Sequence, residues 1–471
     1  MKFAGCLGGG GVDGKGTGRS LRGWLAGLAL SLISASVQAQ GFVTDRGVRA
    51  LGRGTAFVAG AEGAEALWYN PAGLAYAGRS LRLEGTLGLN SASFRRVDEA
   101  ASYQYPSVSE GTTLNVVPLL GYTENFGLSD FTFGLAAFGQ NTRQHDWPTT
   151  VMSTVPAPQR YAGFESSQQQ WHAALGMAWH GVRGLSLGIA PQLVLGRWKR
   201  TLDVSQCDSF ACTYPEDPNF DSRTQLGPVV LPAVTVGLGL TYLARYVRVG
   251  ASLQTPFRSS GKADVSMQLP TAPLYDRASI GAGTVDAQLS LPWIARAGIE
   301  FLPVEGLRIE LAGTFERWSK RPGWQMTSPS TALVSNVVGI GDYQAAWSAA
   351  MPMQDSFSAR LGAEYRIFPA HLSLRAGAAY MSSSVPTQAL TAVHYDANRV
   401  LYSLGASVHI QDRADIDGVV GYVLQLDQDV SDSEVVQPSA NLVPGIANNG
   451  IGNGHYHANA VFLGLGATIR L

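Results

Sequence analysis

The sequence predicts an all-β fold, a 14-stranded antiparallel transmembrane β-barrel with an N-terminal plug, or hatch, in its lumen. Three observations support this fold. Only 15% of the 471 residues are charged, and 55 are glycine. Segments of about ten residues alternate between apolar and polar positions. The connections between these segments are alternately short and long. No apolar run reaches the roughly 18 residues that a membrane-spanning helix needs.

The charge balance excludes several other classes of protein. The chain has 34 Lys+Arg against 35 Asp+Glu, whereas nucleic-acid-binding proteins normally carry a basic excess. We therefore expect no nucleic-acid partner. A disordered chain would contain more charge and fewer aromatic residues.

Residues 1–39 are predicted to be a secretory signal peptide. Basic residues precede the apolar stretch 24–37, which is too short to span a bilayer, and a small-residue cleavage signal ends at Ala39. Export places the mature chain in an oxidising compartment. Cys207 and Cys212 lie five positions apart in a polar loop, so we expect them to form a local disulfide.

The alternation after the signal peptide is clear in the segment 356–367. Its apolar face carries Phe357, Ala359, Leu361, Ala363, Tyr365 and Ile367. Its opposite face carries Ser358, Arg360, Gly362, Glu364 and Arg366. In a transmembrane barrel the apolar rows contact lipid and the polar rows line the lumen.

Fourteen segments of this kind are predicted to be strands. They are 80–95, 112–125, 131–140, 169–181, 185–204, 231–244, 246–258, 283–303, 307–319, 355–367, 371–381, 399–411, 414–428 and 457–471. An even number of strands, with short turns at one end and long loops at the other, is typical of an outer-membrane barrel. The sheet must close, because an open edge would leave backbone groups unpaired in lipid. Both termini then lie at the short-turn, periplasmic end.

The remaining features complete the predicted architecture. Residues 80–471 are assigned to the barrel and residues 40–79 to the hatch, because fourteen strands enclose a lumen wider than side chains fill. The alternative for residues 40–79 is a free tail. A closed barrel needs no partner chain, so a monomer is expected. Aromatic residues near the strand ends indicate interfacial girdles. They are Trp171, Trp179, Trp198, Trp293, Trp318 and Tyr365.

The segment before the first strand carries motifs similar to those of a known family. They are Gly41 and Phe42 at the start of the mature chain, Leu-Gly-Arg-Gly at 51–54, and Asn70, Pro71 and Ala72 just before the first strand. This pattern resembles the hatch of the FadL family, outer-membrane transporters of long-chain fatty acids and aromatic hydrocarbons. Further similarity lies at 315–319, at 355–427 and in the last strand. The chain departs from the pattern at Leu471, where such barrels usually end in an aromatic residue.

The resemblance implies a passive transporter of hydrophobic small molecules without a cofactor. It would lie in the outer membrane of a Gram-negative cell, in contact with lipid and lipopolysaccharide. The substrate would enter a luminal pocket that Gly41 and Phe42 reach, and leave sideways through a gap made by a kink in the third strand. Asn70, Pro71 and Ala72 would shape the hatch beside this gap.

Two further sets of residues could serve the mechanism that the resemblance implies. Gly134 and Gly139 lie in the predicted third strand and could permit the kink, because glycine tolerates bulges. The alternative is that either one is an ordinary lumen-facing or packing position. A carboxylate head group would need a base at the pocket mouth, and Lys320 and Arg321 after the ninth strand are candidates. The alternative is that these two bases only begin a solvated loop. The choice between a fatty acid and a neutral hydrocarbon stays open.

Three other functions compete with transport. A general porin would have an open lumen, which the hatch argues against. A receptor or adhesin would use long loops such as 205–230. A hydrolase would use Ser186 in a G-x-S-x-G match, but that motif requires a strand-to-helix turn. We expect no enzyme activity. His455 and His457 alone are too few ligands for a metal site, so no metal is expected.

Overall fold

The computed structural model describes most of the chain after the predicted signal peptide. The described residues are 45–98, 105–207, 212, 214, 216–319, 323–330, 333–338, 341–344, 348–368, 371–438 and 450–471. Several sequence predictions lie outside them. These are the signal peptide 1–39 and the site residues Gly41, Phe42, Lys320 and Arg321.

Within the described residues, fourteen long antiparallel strands form one closed sheet. They are β1 (Ser80–Arg96), β2 (Thr113–Glu124), β3 (Phe131–Asp146), β4 (Glu165–His180), β5 (Leu185–Ser205), β6 (Asp221–Leu243), β7 (Val247–Gln254, continued by Phe257–Met267), β8 (Gly283–Leu291, continued by Trp293–Phe301), β9 (Leu307–Arg317), β10 (Ser356–Phe368), β11 (Leu372–Met381), β12 (Arg399–Ile410), β13 (Ala414–Gln425) and β14 (Gly454–Arg470). Each strand pairs with the next, and β14 pairs with β1 along its whole length. The predicted closed 14-stranded barrel is therefore confirmed.

Shorter elements lie in the connections and before the first strand. The short strands are Val108–Ser109, Thr150–Val151, Val155–Pro156, Ser279–Ile280, Trp324–Ser330, Leu333–Val337, Gly341–Gln344, Ser348–Ala350 and Gln428–Val430. The α-helices are α1 (Val48–Gly52) and α2 (Ala66–Tyr69), and the 3₁₀ turns are Gly63–Glu65, Pro71–Tyr76, Val182–Gly184, Pro218–Phe220, Pro273–Tyr275 and Thr387–Ala389. No helix in the described part of the chain is long and apolar enough to cross a membrane.

The two faces of the strands are arranged as the alternation predicts. In β10 the outward residues Phe357, Leu361 and Tyr365 are 56%, 54% and 47% exposed, whereas Arg360 and Glu364 are buried. This distribution is the reverse of that in a soluble protein, because charged side chains fill the inside and apolar ones cover the outside. The lumen is therefore the place where charge and function must be sought.

The aromatic girdle prediction is only partly correct. Trp171, Trp293 and Tyr365 are exposed on the outer surface at 43%, 43% and 47%. Trp198 and Trp318, in contrast, are only 5% and 0% exposed. These two residues occupy inward positions of the alternating pattern, and the indole N–H of Trp318 donates to a carboxylate of the wall. The prediction was wrong for them because nearness to a strand end does not decide which face a residue occupies.

Residues 45–79, called the hatch segment from here on, pack against the inward face of the wall. Its backbone runs so close to the strands that the wall has glycine at the contact points. A Cβ atom at Gly239 would overlap the side-chain oxygen of Asn70, and one at Gly377 would overlap the backbone of Arg53. Only glycine fits where two backbones approach this closely. The segment therefore has one way to fit against the wall.

The hydrogen-bond ladder between β2 and β3 is incomplete. It ends toward the long loops at the pair Leu119–Phe138. Beyond this pair, β2 continues to pair with β1 and β3 continues to pair with β4. Among the described residues, no backbone ladder therefore joins β2 to β3 over residues 113–118 of β2 and 139–146 of β3. The wall has a gap in its hydrogen bonding there.

The two glycines predicted to permit a kink lie in different surroundings. Gly134 is inside the paired part of β3, where a Cβ atom would lie 2.8 Å from Cδ2 of Leu74 in the hatch segment. Gly139 is the first residue beyond the last pair and precedes a register shift against β4 between Gln140 and Arg143. The interruption thus coincides with Gly139, whereas Gly134 makes room for the hatch segment.

Candidate functional site

Buried ion pairs join the hatch segment to the wall near the short-turn end of the lumen. Arg53 donates to Glu300 and Glu310 at 2.7 and 3.1 Å, and all three side chains are fully buried. Arg82 of β1, which binds Asp417 of β13 at 2.9 Å, lies 3.4 Å from Glu65 of the hatch segment. Removing one partner of such a buried pair typically costs about 3–5 kcal/mol. These contacts hold the segment in place.

Glu310 also binds the backbone of the hatch segment. Its carboxylate accepts hydrogen bonds from the N–H groups of Val58, Ala59 and Gly60 at 2.6, 2.8 and 3.0 Å. Successive N–H groups that converge in this way form an anion-binding concavity. The loop therefore wraps around a carboxylate that the wall supplies.

Glu65 is a buried carboxyl group of the hatch segment that lies 3.4 Å from Arg82. Burial raises the pKa of Glu65 to about 7. The charge of Arg82 opposes this increase in the pKa, while the carboxylates of Glu84 and Asp417 add to it. The side chain therefore changes its charge near neutral pH.

Asn70 connects the hatch segment to β6. Its Nδ2 donates to the carbonyl oxygens of Val58 and Leu240 at 2.9 and 3.1 Å, and its Oδ1 accepts from the N–H of Ala72. Pro71 starts the 3₁₀ turn that follows. The Asn-Pro-Ala motif itself lies against β5 and β6, and its turn reaches β3 through Leu74.

An aromatic cluster lies where the β2–β3 ladder ends. It consists of Trp68, Phe138 and His172, all buried. The Phe138 and His172 rings are stacked with their centroids 5.2 Å apart, and Trp68 meets them edge-on at 6.2 and 5.7 Å. The guanidinium groups of Arg46 and Arg296 lie 3.7 and 4.8 Å from the Trp68 ring centre. Sequence reasoning did not identify this cluster, because its members are far apart in the chain.

A cavity of about 460 Å³ lies toward the long-loop end. Its lining is mainly apolar and includes Tyr161, Leu202, Val204, Leu226, Trp324 and Met326. Trp324 is oriented by a hydrogen bond from its Nε1 to Nε2 of His394 at 3.2 Å. The size and lining of this outer cavity are typical of a small-molecule site.

The charged residues in the lining of the outer cavity are Arg200 of β5, which is buried, and Glu434, which is exposed. Arg200 is 7% exposed, its Nη2 donates to the carbonyl of Ala162, and its guanidinium lies 5.4 Å from the Trp324 ring centre. Within the described residues, no carboxylate pairs with Arg200, and its Nε lacks a hydrogen-bond partner. The sequence places Arg200 on the inward row of β5, but gives no sign that its charge is uncompensated.

The remaining candidate residues are not brought together into a site. Cys207 and Cys212 form a disulfide in the β5–β6 connection. His455 and His457 each pair with a single aspartate, and the described residues contain no group of three or more side chains placed to hold a metal. Ser186 is the second residue of β5 after the short turn, and in the described structure its hydroxyl bonds to no histidine.

The barrel, its inner segment and its apolar cavity define an outer-membrane channel for small molecules. The model of the family described as "Outer membrane protein transport protein (OMPP1/FadL/TodX)" matches residues 30–471. The chain belongs to this family. The family consists of transport channels for hydrophobic substrates in the outer membrane, so the predicted family and its general function are confirmed. No curated protein matches the chain.

Solved structures share the fold at low sequence identity. A FadL homologue of Pseudomonas aeruginosa is 13% identical, with a TM-score of 0.67 over 93% of this chain and 99% of that chain. The toluene transporter TodX of Pseudomonas putida is 15% identical, with a TM-score of 0.63 over 93% and 100% of the two chains. The toluene transporter TbuX of Ralstonia pickettii is 15% identical, with a TM-score of 0.59 over 90% and 98%. At these identities the likeness shows the fold alone.

Proposed function

We propose that this protein takes up long-chain carboxylates, such as fatty acids, across the outer membrane of a Gram-negative cell by passive diffusion. It acts as a monomer. The long-loop end faces the exterior and both termini face the periplasm. The observation that carries the choice of substrate is Arg200, a buried base in a mainly apolar cavity that pairs with no carboxylate among the described residues.

The chemistry of the outer cavity favours an amphipathic anion over a neutral hydrocarbon. A carboxylate that enters the cavity pairs with Arg200, and a charge-assisted hydrogen bond is about twice as strong as a neutral one. The alkyl chain contributes about 0.8 kcal/mol for each buried CH₂ group. A neutral hydrocarbon would gain only the second contribution and leave the guanidinium uncompensated. Arg200 takes the role that the sequence suggested for Lys320 and Arg321.

Lateral release through the wall fits the geometry of the lumen. The hatch segment fills the short-turn end and is tied there by Arg53 and Glu310. The wall lacks a ladder between 113–118 of β2 and 139–146 of β3. An apolar tail that leaves through this gap enters the bilayer without being exposed to water. The exit proposed here is therefore the β2–β3 gap.

Uptake by cells that lack their own transporter tests the substrate. Cells expressing the wild type should take up radiolabelled palmitate, and Arg200→Gln should lower the uptake at limiting concentration by about tenfold or more, the effect of losing a hydrogen bond to a charged group. Arg197→Gln is the matched control, because Arg197 lies on the same strand and faces outward. It should leave uptake unchanged.

Toluene uptake and ion conductance decide between the alternatives. Toluene uptake that exceeds palmitate uptake and is insensitive to Arg200→Gln would reject the carboxylate substrate. Ion conductance of the wild type in planar bilayers, without uptake of either compound, would favour a general porin. Absence of both, with the protein verified in the outer membrane, would favour a receptor or adhesin that uses its long loops.

A further inference from the structure

We infer that Phe138 is the gate of the lateral exit and that the hatch segment holds this gate closed through Gln192 and His172. This inference rests on the proposed function, because it concerns the route by which the substrate leaves the lumen. It assigns to Phe138 a role in selecting substrates by their width.

The position of Phe138 in the wall is the first observation. Phe138 and Leu119 form the last pair of the β2–β3 ladder, and both side chains are buried on the inward face. The next positions across the gap are Gly139 and Pro118. Glycine has no side chain, and proline has no N–H with which to continue a ladder. The ring of Phe138 therefore separates the lumen from the start of the gap.

The contacts of the Phe138 ring fix its position between the wall and the hatch segment. It stacks on His172 with an angle of 19° between the rings. Trp68 meets it edge-on from the hatch segment, and the Arg46 guanidinium lies 4.5 Å from its centre. Stacked and edge-on aromatic contacts are directional, so the ring is positioned by both the wall and the hatch segment.

A chain of hydrogen bonds links this ring stack to the hatch segment. Nε2 of Gln192 donates to the carbonyl of Leu67 at 3.1 Å, and Oε1 of the same amide lies 2.9 Å from Nδ1 of His172. Because the amide nitrogen is directed at a carbonyl, its oxygen faces the histidine, which assigns the proton to Nδ1. His172 is thus oriented by Gln192, and Gln192 is oriented by the backbone of Leu67. A shift of the hatch segment at Leu67 would release His172 and with it the face on which Phe138 rests.

Uptake of a narrow and a wide carboxylate tests the gate. Phe138→Ala should speed the uptake of a pyrene-labelled fatty acid by about two- to tenfold, the factor that corresponds to losing one aromatic pair, and should speed that of palmitate less. Phe138→Trp should slow the wide substrate more than the narrow one. Phe462→Ala is the matched control, because Phe462 is an equally buried, inward phenylalanine on β14. Equal rates for both substrates in all variants would overturn the inference.

A measurement that needs no transport separates this inference from the proposed function. Leu119→Cys places a thiol on the lumen side of the gate, and the two cysteines of the described chain are joined in a disulfide. In lipid vesicles, a membrane-soluble maleimide should label this thiol faster in the double variant Leu119→Cys with Phe138→Ala than in Leu119→Cys alone. Unchanged labelling would reject the gate even if palmitate is transported. Faster labelling without any uptake would support the gate and reject the proposed substrate.

The link to the hatch segment has its own test. Gln192→Leu removes both hydrogen bonds but keeps a side chain of similar size. It should speed labelling of Leu119→Cys in the same direction as Phe138→Ala, and Thr235→Val on β6 serves as a control for the loss of a buried polar group. If Phe138→Ala speeds labelling and Gln192→Leu does not, the control of the gate by the hatch segment is rejected.

Discussion

At the scale of single residues, the alternation of the sequence determines which way a side chain faces but not which partners it meets. Glu310 is inward by its position in β9, yet three backbone N–H groups some 250 positions away in the chain define its role. Arg200 is likewise inward, and its importance follows from the lack of an acidic partner in the described structure. Which side chains meet inside the lumen depends on the register between strands, and the alternation within one strand does not determine that register.

Glu65 predicts how the anchoring of the hatch segment depends on pH. Since burial raises the pKa of Glu65 to about 7, the folded protein keeps a proton that the unfolded chain loses above about pH 4.5. The native state thus binds more protons in this window, and stability falls as pH rises from about 4.5 to about 7. The thermal unfolding midpoint of the purified protein should decline over this range, and Glu65→Gln should remove the decline.

Glu62 provides the matched control on the same segment. Burial alone would raise the pKa of Glu62. The pKa is nevertheless lowered overall, because the charges of Arg308 and Arg49 stabilise the carboxylate. It stays ionised throughout the window, so Glu62→Gln should lower the midpoint at every pH and retain the slope. A slope that survives Glu65→Gln would show that another group is responsible.

At the scale of elements, the strands could be predicted almost completely from the residue pattern, whereas a gap in the wall was expected only from the family resemblance, which did not choose between Gly134 and Gly139. Period-two alternation and the sorting of short turns and long loops located all fourteen strands. The two interruptions within β7 and β8 coincide with Pro256 and Pro292, as expected for a residue without a backbone donor. The break between β2 and β3 lies instead where the two strands separate while each still pairs with its other neighbour, and the alternation of either strand does not change there. Gly139 marks that place, but glycines such as Gly134 look the same in the sequence.

The close fit between hatch segment and wall gives a prediction for β6. Gly239→Val would place methyl groups where Asn70 and Ala72 now lie, so the hatch segment should be displaced and the barrel should become leaky. We expect higher ion conductance and greater sensitivity of cells to large antibiotics. Gly85→Val on β1 is the control, because a Cβ atom there meets only a valine side chain at 3.8 Å. Equal conductance of the two variants would contradict the prediction.

At the scale of the whole molecule, lateral release predicts that closing the wall stops transport although the pocket stays intact. A Cβ atom at Gly139 would lie 3.2 Å from Cδ of Pro118, so Pro118→Cys with Gly139→Cys should form a disulfide across the start of the gap. Oxidation should lower palmitate uptake, and reduction should restore it. The pair Leu120→Cys with Ala137→Cys lies one step inside the ladder and should have no effect in either state. Undiminished uptake by the oxidised Pro118–Gly139 variant would reject the exit through this gap.

The way the ring of strands closes has a consequence for assembly in the cell. β1 pairs with both β2 and β14, and only residues 77–79 separate it from the last turn of the hatch segment. Three residues span at most about 10 Å. The strand that closes the ring is thus tethered to the segment that packs inside it, so we expect the barrel to close around the hatch segment rather than to close empty and be filled later. A newly made copy would then present no open pore to the cell.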